Sequence, residues 1–192
     1  DFIDMFKIVP NSSVLELPDE INGIPVCVVT LYKEIENNKI EKIILGNNIV
    51  IIRSFTKFIS NLNEVVIKEG YNGDVESLIN IISQYINYST NEVIVKLKYN
   101  KDLKFINNCI LTDDGKKLLL ICSKNKAIIP DTVEIISETA FVNKFKSTAN
   151  IKWPESLKIV EDLKIQDDLF MKIFSNNSLY RNLEVLSSST IL

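Results

Sequence analysis

The chain has 192 residues, 46% of them hydrophobic and 24% charged, a balance ordinary for a globular protein with a real core. A formal net charge of -3, with Arg53 and Arg181 far apart, offers no cationic footprint for a polyanion, so nucleic acid is not an expected partner. Histidine is absent altogether, which excludes Ser-His-Asp and Cys-His nucleophile activation and removes the commonest metal ligand.

Taken in chain order, Leu15 and Leu17 open the first period-two alternation, the mark of a strand with one buried face. It runs into Leu17-Pro18-Asp19-Glu20-Ile21, and the arrangement returns as Ile43/Leu45 followed by Leu45-Gly46-Asn47-Asn48-Ile49. Each is a large apolar residue, a Pro or Gly turn, two polar residues and a second apolar residue. Ile49 leads on to Ile52 and Phe55. Asn63-Glu64-Val65-Val66-Ile67 is a further strand, and Asn91-Glu92-Val93-Ile94-Val95 nearly copies it. Between them Val75, Leu78, Ile79, Ile82 and Ile86 recur at helical spacing behind Asp74, a good N-cap, so a helix is predicted over 74–87.

Residues 109–112 and 117–122 flank Asp113-Asp114-Gly115 and predict a hairpin, with Gly115 in the left-handed conformation. Ala127/Ile129 and Ile151/Trp153 begin two more copies of the strand and turn, Ile129-Pro130-Asp131-Thr132-Val133 and Trp153-Pro154-Glu155-Ser156-Leu157. These continue to Ile136 and Phe141, and to Val160. In 161–192, Leu169, Phe170, Ile173 and Phe174 have helical spacing, and Leu183-Glu184-Val185-Leu186 resembles a degenerate last copy, so this segment is predicted to be a helical or degenerate cap.

Aligning Leu17, Leu45, Ile67, Val95, Ile129 and Trp153 gives intervals of about 28, 22, 28, 34 and 24 residues, near the 20 to 29 of leucine-rich repeats. The hairpin accounts for the longest interval. The expected fold is an α/β repeat solenoid: one domain over 1–192, a right-handed leucine-rich-repeat coil over about 12–160, with short parallel strands on one face, an inserted β-hairpin and one or two helices.

Three stretches resemble the BspA-like branch of leucine-rich repeats, found on many bacterial and protist proteins. They are Ile129-Pro130-Asp131-Thr132-Val133-Glu134-Ile135-Ile136 with Ala140-Phe141; Leu17-Pro18-Asp19-Glu20-Ile21-Asn22-Gly23-Ile24-Pro25-Val26; and Ile110-Leu111 through Asp114-Gly115-Lys116-Lys117-Leu118-Leu119. Gly46 departs from the family's Pro, the spacing to Phe55 is shorter than that to Phe141, and the copy ending at Val95 lacks the Pro-Asp turn. The resemblance implies a non-catalytic, often surface-exposed module for adhesion or protein recognition, an analogy from fold to function.

If the aligned positions face inward, their predecessors face outward: Glu16, Ile44, Val66, Ile94, Ile128 and Lys152. Ile44, Val66, Ile94 and Ile128 then form an aliphatic stripe flanked by Lys42, Glu64, Glu92 and Lys126, the candidate binding face. Three readings compete: a partner-binding surface, a surface covered by the chain's own insertions or a second copy, and plain strand-forming residues. The expected partner is a protein or another extracellular macromolecule, with self-association also open.

Cys27, Cys109 and Cys122 form no close-spaced pair, and Cys109 and Cys122 are expected out of register across their hairpin, so neither a disulfide framework nor a zinc site is suggested. No cofactor is implied: none of the five glycines sits in a phosphate-cradling motif. The acid pairs Asp113/Asp114, Glu161/Asp162 and Asp167/Asp168 lack the spacing of a calcium loop and read as solvated surface. Sequons at Asn11, Asn87 and Asn176 are what chance supplies in a chain rich in Asn and Ser. No apolar run is long enough to span a bilayer; the best, 24–31, contains Pro25 and Thr30. The ends read as those of a piece cut from a longer protein. The expected location is the cell surface or the secreted fraction, with the cytoplasm as the alternative.

Overall fold

A strand that buries alternate residues still exposes a row of N–H and C=O groups along each edge, and these need neighbouring strands. In the computed structural model, which describes residues 13–31, 40–54, 60–98, 100–141, 150–161 and 184–186, short strands meet that need in several small sheets, with one helix and no closed barrel. The chain forms two compact units, Asp1–Asn100 and Lys101–Leu192.

The first unit runs β1 (Val14–Glu16), β2 (Glu20–Ile21), β3 (Ile24–Pro25), β4 (Val28–Leu31), β5 (Lys42–Leu45), β6 (Ile51–Ser54), β7 (Glu64–Ile67), α1 (Val75–Tyr88) and β8 (Ile94–Leu97). Its main sheet has the order β1-β5-β7-β8, with every pair parallel. Leu15, Ile43, Val65 and Val95 share one cross-strand row, and all four are buried. Leu17 continues beside β5, its N–H donating to the Ile44 carbonyl at 2.9 Å, and Leu45, Ile67 and Leu97 extend that second row. A two-stranded parallel sheet pairs β4 with β6, placing buried Val29 beside buried Ile52.

Register shows one difference from expectation. Ile67 pairs with Leu97, so Val95 belongs to the row of Val65. The successive strands are therefore 28, 22 and 30 residues apart. A two-residue slip keeps the same side chains inward, which is why the alternation alone could not reveal it. The register is set at the start of β8. Ser89 Oγ donates to the Leu62 carbonyl at 2.7 Å, Thr90 Oγ1 to the Ser60 carbonyl at 2.6 Å, and Asn91 Nδ2 to the Asn61 carbonyl at 3.1 Å.

Helix α1 starts where expected. Asp74, in an extended conformation, accepts the Ser77 N–H at 2.7 Å, satisfying one of the free donors of the first turn. Leu78, Ile79, Ile81, Ile82, Tyr85 and Ile86 form its buried face. Ser89, the third residue of the Asn87 sequon, is buried and bonded to the Leu62 carbonyl, while Asn87 itself is half-buried.

Gly46 has a packing reason. A Cβ there would collide with the carbonyl of Pro18, in the preceding copy of the same turn. The two backbones meet too closely for any side chain, which accounts for the departure from Pro at this position. Around it, Asp19 Oδ1 accepts the Asn47 N–H at 2.6 Å, and Asn48 Nδ2 donates to the Asp19 carbonyl at 2.9 Å.

The second unit runs β9 (Leu103–Ile106), β10 (Cys109–Thr112), β11 (Lys117–Ile121), β12 (Lys126–Ile128), β13 (Ile135–Ile136), β14 (Asn150–Lys152), β15 (Ile159–Glu161) and β16 (Glu184–Leu186). β10 and β11 form the predicted hairpin, with Gly115 at φ 76°. Strand β9 was not expected. It pairs antiparallel with β10 across Asn107-Asn108, both at positive φ, a two-residue loop that Asn can serve without glycine. β11, β13, β15 and β16 are parallel, so Leu118, Ile136, Val160 and Val185 line up. β12 pairs in parallel with β14, matching Ala127 to Ile151.

Cys109 lies opposite Ile121 while the Cys122 N–H bonds the Asn108 carbonyl, so the two cysteines are one step out of register, and all three cysteines are free. The helical spacing at Leu169, Phe170, Ile173 and Phe174 lies outside the described residues, as does Phe55. Among the described residues no helix is long and apolar enough to cross a membrane.

Two substitutions test this packing by urea unfolding. Ile67→Ala, at a fully buried position, is expected to cost about 2–5 kcal/mol. Gly46→Ala is expected to cost about 1–3 kcal/mol through the forced separation of the two turns. A neutral Gly46→Ala would contradict the close approach.

Candidate interaction face

The outward residues of the four-stranded sheet form two cross-strand rows: Val14, Lys42, Glu64, Ile94, and Glu16, Ile44, Val66, Lys96. Lys42 is thus beside Glu64 and Ile44 beside Val66, as the sequence pattern required. Ile94 is not beside Val66. The two-residue slip places it next to Glu64, and Lys96 takes the position at Val66. Glu92 precedes the strand and is exposed. Lys126 and Ile128 are on β12 of the second unit, where Ile128 pairs with Lys152. The apolar part of this sheet face is therefore the half-buried Ile44–Val66 pair, with Val14 and Ile94 exposed on the two edge strands.

Charges frame that pair. Glu64 is held between Lys42 Nζ at 2.8 Å and Lys96 Nζ at 2.9 Å, and Lys68 Nζ lies 2.9 Å from Glu16 and 3.7 Å from Asp19. The Lys42 contact is charge pairing at a poor hydrogen-bond angle, because Glu64 Oε1 finds no well-aligned donor. The two ammonium groups, Lys42 first, hold the Glu64 carboxyl below its ordinary value of 4.5 against an opposing desolvation. Lys42 and Lys68 are partly buried while Lys96 is mostly exposed, and Ile44 and Val66 are half-buried among them. Ile94, at 56% exposed, is the most open apolar residue of this face.

The second unit holds an alternating column that the sequence reading missed. Lys116 Nζ and Lys158 Nζ are 3.1 and 2.7 Å from Glu134, and Lys117 Nζ is 2.5 Å from Glu161. Lys116, Glu134 and Lys158 each immediately precede a parallel strand, so the signal lay in charges of alternating sign before Lys117, Ile135 and Ile159. Opposite charges on adjacent strands favour this register, whereas like charges would oppose it.

Several groups capable of nucleophilic or acid–base chemistry among the described residues are engaged in packing or hydrogen bonds. Burial pushes the Cys109 thiol up to about 12 and the Cys122 thiol well above its ordinary value, so both are protonated and poor nucleophiles. Tyr71 is pushed up to about 12 by burial and by the Asp74 carboxylate, and its hydroxyl donates to the Ile49 carbonyl at 2.6 Å. Asp114 accepts from Thr112 Oγ1 at 2.6 Å and from the Lys116 N–H at 2.9 Å, bonds that lower its pKa and close the hairpin turn. Glu161 is paired with Lys117, and Asp162, Asp167 and Asp168 lie outside the described residues. Among the described residues no three His, Cys, Asp or Glu side chains are grouped to hold a metal ion. No protein-family model, curated protein or solved structure matches the chain.

The depressed Glu64 carboxyl gives a pH test. A carboxyl whose folded pKa lies below its unfolded value contributes stability above the unfolded value, and that contribution fades as pH falls through the folded one. Stability of the native chain should thus fall as pH drops below about 4.5, and Glu64→Gln should flatten that acid limb in unfolding curves taken across the range. An unchanged acid limb would show that the Lys42–Glu64–Lys96 contact does not form.

Proposed function

We propose that the chain is a right-handed leucine-rich-repeat coil of the BspA-like kind, acting as a non-catalytic protein-recognition or adhesion module of a surface-associated protein. The observation that carries the reading is the parallel succession β1-β5-β7-β8 at intervals of 28, 22 and 30 residues, with β12 and β14 repeating it at 24. Such spacing is that of stacked coils whose equivalent side chains form one core. A stacked sheet presents a fixed lattice of outward side chains, here the apolar pair Ile44–Val66, the open Ile94 and the ion-paired frame around them. That combination of apolar centre and charged rim suits a protein partner.

A second reading, an intracellular structural or regulatory interaction domain, draws support from the three free thiols, which a reducing compartment would preserve. Labelling intact producing cells with a membrane-impermeant amine reagent separates the two. The surface reading predicts modified lysines before lysis, and modification only after lysis supports the intracellular one.

Partner recognition is tested with Val66→Lys/Ile94→Lys. The immobilised native chain should retain a partner that the double variant loses, while thermal unfolding of the two chains stays alike. Equal capture by both would remove this face from the proposal.

A further inference from the structure

Asn22 and Gly23 form the two-residue loop between β2 and β3, and both have left-handed backbones, φ 52° and 77°. Both are exposed, and beyond Gly23 and its two chain neighbours no atom lies within 4 Å of the position a Gly23 Cβ would occupy. The Asn22 side-chain amide has no hydrogen bond among the described residues. The hairpin is also minimal. Its ladder consists of Ile21↔Ile24 and Glu20↔Pro25, and Pro25 has no N–H to donate. Opening the loop breaks few bonds, so the Asn22–Gly23 peptide can turn until the Gly23 nitrogen faces the Asn22 amide carbon.

We propose that Asn22 is a site of spontaneous modification with water as the co-reactant. Hydroxide removes the Gly23 main-chain proton, and the nitrogen attacks Asn22 Cγ. The C–N bond to the side-chain nitrogen breaks, ammonia leaves with a proton returned from water, and a five-membered cyclic imide remains. Water then opens either of the two imide C–N bonds, leaving Asp or its β-linked isomer at position 22. The net change is gain of one water and loss of one ammonia, with no oxidation or reduction.

The other Asn-Gly pair supplies the contrast. Asn72 donates its N–H to the Asn47 carbonyl at 2.7 Å and its side-chain amide to Asn48 Oδ1 at 3.1 Å. The Tyr71 ring folds over Gly73 and is itself anchored to Ile49. That peptide is held in place, so identical local chemistry has two different outcomes in one fold.

The β-linked product lengthens the main chain inside a two-residue loop. Asp19, at the foot of the loop, is bonded through its carbonyl to both Val26 and Asn48, and through Oδ1 to Asn47. Lengthening the loop therefore loosens the tie between the first two copies of the turn.

The test is peptide mapping by mass spectrometry of the native protein aged in mildly alkaline buffer, with fragmentation that distinguishes the β-linked isomer. A mass gain of about one unit is expected on the Asn22 peptide, several-fold faster than on the Asn72 peptide and absent from that peptide in Asn22→Gln. Conversion of Asn22 no faster than Asn72 in the native chain would overturn the proposal, as would conversion confined to chain unfolded in urea.

Discussion

Everything in the main sheet depends on the pairing of each short strand with the next parallel one. Strands of three or four residues bury too little apolar surface alone to offset the conformational entropy of ordering them. Leu15, Ile43, Val65 and Val95 become a core only because backbone hydrogen bonds bring them into one row. A neighbour is thus a condition of each strand's existence, and loss of one strand uncovers the edge and the apolar row of the next.

Between the strands, side chains repeat that dependence in the turns. Asn47, Asn48 and Asn72 in one set, Ser89, Thr90 and Asn91 in another, and Thr132 and Ser156 in the second unit all bond groups 17 to 30 residues away. These polar residues satisfy carbonyls and N–H groups that the narrow strands leave over, and each links one turn to the next. The alternating Lys–Glu–Lys contacts act on register in the same direction. Exposed ion pairs contribute only about 0.2–1 kcal/mol each. Their larger effect is to disfavour the arrangements in which like charges would meet.

Much of this was legible in the residues. Period-two alternation located β1, β5, β7, β12 and β14, helical spacing with Asp74 located α1, and Gly115 located the β10–β11 hairpin. What escaped was one long-range register and one local turn. The near-identity of 63–67 and 91–95 argued for a register that the bonds of Ser89, Thr90 and Asn91 to the preceding turn override. β9 escaped because Asn107-Asn108 turns the chain with no glycine to signal it. The candidate face suffered most from the slip: Ile44 and Val66 meet as expected, while Ile94 moves to Glu64 and the expected four-residue stripe does not form within the sheet.

The central claim is the parallel register of β7 with β8, from which both the 30-residue interval and the make-up of the outer face follow. Interstrand proton–proton contacts measured by NMR in the isotopically labelled protein read it directly. The account predicts cross-strand contacts joining Glu64 with Ile94 and Val66 with Lys96. Contacts joining Val66 with Ile94 instead would contradict it and restore a continuous aliphatic row from Ile44 to Ile94.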